Sequence, residues 1–122
     1  MLRYWSKPPA YYERRGQFAV LERSVTRDAG QFAAVVGALY ERGGYVGAVD
    51  LGVAVLGIET AAGASMISAF TPRLYGAPDY RQTDRITMQE LTATHQAVVR
   101  GLLAPLYDVI SRAGYDPFND AG

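Results

Sequence analysis

Val46 to Glu59 constrains this chain most. Val49, Leu51, Val53 and Val55 alternate with Ala48, Asp50, Gly52 and Ala54, so an extended chain puts all the bulky side chains on one face. The other face is small except for one carboxylate, and small residues let another backbone or a helix come close. Gly47, Gly52 and Gly57 recur at even spacing and fit bends or bulges. A long, mostly apolar strand usually lies at the centre of its sheet, and that position is expected here.

Around this strand the pattern switches between two periods. Gln17 to Arg27 alternates loosely through Phe18, Val20 and Val25 and reads as a strand. Phe32, Val35, Val36, Leu39 and Tyr40 form one helical stripe. Asp28 and Gln31 have capping-box spacing at its start, and Gly43-Gly44 ends it. Ala61 to Gly63 reads as a turn, Ala64 to Thr71 as a second apolar strand, and Tyr80 to Thr87 as a polar edge strand. Thr87 and Glu90 again have capping-box spacing. Residues 95–113 carry the second helix, with Val99, Leu102, Leu103, Leu106 and Ile110 on one face. Pro105 inside it predicts a kink or a split. The order is β-α-β-β-β-α. It predicts an α+β fold: a small, mainly antiparallel sheet of about four strands, with both amphipathic helices packed on one face.

A chain of 122 residues suits one domain. Residues 16–114 hold the periodic pattern. Residues 1–15 read as an extended aromatic arm: Pro8-Pro9 forbids helix, and Tyr4, Trp5, Tyr11 and Tyr12 give it weight to pack on something. Residues 115–122 form a short tail. Apolar residues at 49% and charged residues at 20% place the chain among ordinary globular domains.

Several function classes drop out. There is no cysteine, which excludes disulfides, thiolate metal sites and a thiol nucleophile. With no signal-like segment, this suits a cytoplasmic protein. Twelve basic residues balance twelve acidic ones, so no global field draws the chain onto nucleic acid or anionic lipid. Eleven of the basic residues are Arg, a bias of GC-rich coding. No apolar stretch approaches the roughly 20 residues of a membrane span. His95 is the only histidine, which leaves no His-based metal set. Pairing it with Ser65 or Ser68 as a nucleophile lacks the G-x-S-x-G elbow. Gly52 and Gly57 have phosphate-loop spacing, but Ile58-Glu59 follows instead of Lys-Ser/Thr. Nothing in the chain calls for a cofactor or a metal.

Two places remain for chemistry. Asp50 interrupts an apolar strand, so it is either paired structurally or a ligand contact or acid–base group. Arg73, Arg81 and Arg85, with Tyr75 and Tyr80 between them and Trp5 on the arm, could contact phosphates and bases. Asp79 and Asp84 dilute that charge. The order after residue 28 also matches a double-stranded RNA-binding domain. Its second helix, however, starts Thr94-His95-Gln96-Ala97-Val98-Val99-Arg100, with one cation where that module needs several.

The run from Tyr45 to Gly57, then Tyr80-Arg81-Gln82-Thr83-Asp84-Arg85 and the Leu102-Leu103-Ala104-Pro105-Leu106 helix, resembles the C-terminal region of certain actinobacterial proteins. Those proteins carry an AlbA-like nucleic-acid-binding domain of the Schlafen type toward their N-terminus. The resemblance spans residues 30–113. It implies an accessory, partner-contact module of a larger bacterial protein, and it transfers no catalytic residue. The leading expectation is a non-enzymatic module that associates with itself or with another protein domain. The alternatives are a nucleic-acid contact through Arg73, Arg81, Arg85 and Trp5, and a small ligand-binding or enzymatic domain centred on Asp50.

Overall fold

The computed structural model describes residues 11–14, 17–66 and 73–117, with side chains from Ala19 onward. Tyr4, Trp5, Ser68, residues 67–71 of the expected second apolar strand, and Phe118 lie outside the described residues.

The fold is α+β, with two long helices and two small sheets. β1 (Tyr11–Arg14) pairs antiparallel with β2 (Gln17–Val20), so the end of the expected arm is itself a strand. β2 runs parallel to the short β4 (Ala62–Gly63). β3 (Ala48–Val55) and β5 (Tyr80–Thr87) form a separate antiparallel ribbon. The expected single sheet is therefore split in two. A 3-10 turn at Ala64–Met66 follows β4 where a longer strand was expected.

α1 (Glu22–Arg42) begins six residues before the expected Asp28 cap. Glu22, Val25, Ala29, Ala33, Val36 and Tyr40 recur at helical spacing, and this stripe overrides the loose alternation of residues 17–27. The buried face is also rotated from the one expected. Val36 is buried, and Phe32 and Tyr40 are half-buried. Val35 and Leu39 stay 56% and 51% exposed. Gly37 lies on the buried face, where a Cβ would meet the Leu91 and Thr92 side chains at 3.5 Å, an ordinary contact. The small residues Ala33 and Gly37 are both buried on α1, and α1 packs on α2.

α2 (Met88–Ile110) is the central element, packing on α1, on the β3–β5 ribbon and on β4. Thr87 caps it, accepting from the Glu90 N–H at 3.1 Å, as the spacing predicts. Val99, Leu102, Leu103, Leu106 and Ile110 are buried, also as expected. The break falls at Thr94 (φ −138°, ψ 44°) and not at Pro105. The Thr92 and Thr94 hydroxyls donate back to the carbonyls of Met88, Gln89 and Glu90, a pattern that bends helices. Pro105 is tolerated because the carbonyl it leaves unbonded belongs to Gly101, on the exposed side. The helix ends at a Ser111 cap, and Gly114, with φ +78°, lies in the turn after it.

Candidate functional site

The β3–β5 ribbon carries most of the residues singled out from the sequence. Its register sets Asp50 opposite Arg85, Gly52 opposite Thr83 and Ala54 opposite Arg81. Leu51, Val55, Tyr80 and Ile86 are buried on the inner face, while Val49 and Val53 are only half-buried. The Tyr80 hydroxyl donates to the Leu102 carbonyl of α2 and pins the ribbon to the helix.

Asp50 is exposed, and Arg85 Nε reaches its Oδ1 at 2.9 Å while Nη2 reaches Oδ2 at 3.3 Å. This hydrogen-bonded pairing, with the charge behind it, holds the Asp50 carboxyl below its ordinary value. An exposed pair of this kind adds little to stability. Arg81 lies 3.5 Å from Asp79. Arg73 instead donates to the Ser111 carbonyl at 2.9 Å, at the far end of α2. The structure thus brings Asp50, Arg81 and Arg85 onto one ribbon face and separates Arg73 from them. Both ribbon arginines already face carboxylates.

The two strands differ at their open edges. Residues of an antiparallel strand point N–H and C=O to alternate sides. The Gly47 carbonyl accepts from Met88 N, so odd residues of β3 face β5. Even residues, Ala48, Asp50, Gly52 and Ala54, therefore face away. The Tyr45 hydroxyl agrees, reaching the Ala48 carbonyl at 2.7 Å from the other side. Among the described residues no strand pairs with that outward edge. β5 guards its own edge with Arg81, Thr83, Asp84 and Arg85. β3 offers only Asp50 among small and aliphatic residues, with no proline or lysine from 46 to 56. Flanking it, Val46 is 91% exposed and Leu56 40% exposed. The strand expected at the centre of a sheet is at an edge.

A second constellation was not legible in the sequence. Glu22, 1% exposed, accepts from the Ser65 N–H at 3.0 Å, from Ser65 Oγ at 2.5 Å and from Ser111 Oγ at 2.6 Å. The Arg112 N–H donates to Ser65 Oγ at 2.9 Å. The Tyr107 hydroxyl donates to the Glu22 carbonyl at 3.0 Å. With its one proton so used, it accepts from Thr26 Oγ1 at 2.8 Å. Burial pushes the Tyr107 hydroxyl well above its ordinary value and keeps it neutral. Gly63 makes room: a Cβ there would fall 2.5 Å from Glu22 Oε2 and 2.7 Å from the Ile110 carbonyl. This knot ties the start of α1, the turn after β4 and the end of α2. Ser65 lies against the end of α2, and His95 sits near the start, roughly 20 Å of helix away. The two cannot form a Ser–His pair.

Comparison with protein-family models, with curated proteins and with solved structures gives no significant match.

Proposed function

We propose that this domain is a non-enzymatic protein-interaction module that associates with itself or with another protein domain. One observation carries the reading: an eight-residue, mostly apolar strand has one edge unpaired among the described residues and exposed hydrophobic residues at both ends. Free backbone donors and acceptors on such an edge are a template for another strand. The engaged arginines weigh against the nucleic-acid reading, since each carboxylate beside them repels phosphate. The Arg85–Asp50 pair gives Asp50 a structural partner and weakens the reading of it as a ligand or acid–base site. The resemblance to an accessory region fits the same role.

Sedimentation across concentration tests this, with the full chain and with one lacking residues 1–10. The mass is expected to rise above the 13.3 kDa of a single chain as concentration increases. A chain that stays at that mass throughout, in both forms, contradicts self-association and leaves only a different protein domain as the partner.

A further inference from the structure

We infer that the open edge of β3 takes the β3 of a second copy, antiparallel, with Leu51 on the two-fold axis. This rests on the interaction-module reading and goes further by naming the occupant and the register. The product is a four-stranded antiparallel sheet in the order β5-β3-β3-β5.

Self-pairing across a dyad requires a pattern that matches itself when reversed. β3 has one. About Leu51, Val49 faces the second copy's Val53, Ala48 faces its Ala54, and Asp50 faces its Gly52. Bulky side chains meet on the inner face and small ones on the outer. Continuing outward, Val46 comes opposite the second copy's Leu56. These two exposed hydrophobics lie five residues to either side of Leu51.

Backbone geometry allows this register. The outward-facing residues are the even ones, so Ala48 with Ala54 and Asp50 with Gly52 become hydrogen-bonded pairs. Leu51 with Leu51, and Val49 with Val53, become non-hydrogen-bonded pairs, where side chains sit closest. Val49 and Val53 are the inner-face valines that the monomer leaves half-exposed. The Ala48 carbonyl, already holding the Tyr45 hydroxyl, keeps a second lone pair for the new bond.

Charge excludes the neighbouring alternative. Moving the register two residues one way sets Asp50 against the second copy's Asp50, a repulsive pair. Moving it two residues the other way puts Val46 against Ile58, which is already buried, and leaves Leu56 facing Ala48. A one-residue slip turns every side chain to the wrong face.

The chain has no cysteine, so introduced thiols report alone. Ala48→Cys and Ala54→Cys, both at exposed outer-face positions, are made as separate proteins. In the inferred register position 48 lies about 5.5 Å from the second copy's position 54. Each position lies roughly 20 Å from its own equivalent. A short thiol cross-linker is expected to join the two variants when they are mixed and to leave each alone uncoupled. Sedimentation of the same samples gives their mass. A dimer by mass that does not couple in the mixture, or that couples in a single variant, overturns the register and leaves the interaction module standing. A single-chain mass at every concentration overturns the self-pairing and leaves the module only a different protein domain as its partner.

Discussion

Glu22→Ala is expected to destabilise the fold by about 3 kcal/mol, the largest effect of any single substitution considered. The alanine removes the acceptor for three donors, the Ser65 N–H, Ser65 Oγ and Ser111 Oγ. A donor left buried without a partner costs about 1–3 kcal/mol, and the missing side chain adds a cavity. Water entering beside the half-buried Ser65 offsets part of this. For a domain near 100 residues, about 3 kcal/mol lowers Tm by roughly 10–20 °C. Glu22→Gln keeps the shape and one acceptor oxygen, so its loss should be about half as large. Thermal melts of the two variants beside the parent check this. Equal stability of all three would show that the knot does not hold α1 to the end of α2.

Val53→Lys is expected to leave the single chain folded and to weaken self-association about 100-fold. Val53 is half-exposed at the rim of the inner face, where a lysine stem can lie along the strand with its ammonium in water. Pairing with a second copy would trap that ammonium against Val49. The dimer carries the substitution twice, so losing about 1.5 kcal/mol of apolar burial at each site gives about 3 kcal/mol in all. Inward-pointing charges protect natural edge strands by this means. The parent and variant dissociation constants by sedimentation, with circular dichroism for the fold, give the comparison. A variant that associates as tightly as the parent removes Val53 from the interface.

What could be read from the sequence followed the strength of local patterns. β3 and the buried face of α2 were legible because each repeats its period over several turns or pairs, β5 from its polar run, and the Thr87 cap from its spacing to Glu90. The start of α1 was not, because Val20 and Val25 suit a strand as well as a helix, and Leu21 caps α1 with no side-chain bond. The kink moved from Pro105 to Thr94, since what matters is whether the lost bond faces water, and that is a property of packing. Asp50 was legible as a carboxylate in need of a partner, and register supplied Arg85. The Glu22 knot left no local trace. Its members are far apart in the chain, and a glutamate in residues read as a half-exposed strand belongs on the solvent side. The edge position of β3 could not be read either, because an apolar strand looks the same whether its second neighbour is in its own chain or in another.

Amide hydrogen exchange at Ala48, Asp50, Gly52 and Ala54, followed over a range of protein concentrations, bears most directly on β3 as an interior strand left at an open edge. These outward amides should exchange fast in dilute solution and become protected as concentration rises, while Val49, Leu51 and Val53, bonded to β5, stay protected throughout. Outward amides that are protected equally at every concentration, or that exchange fast even in concentrated solution, would contradict the account.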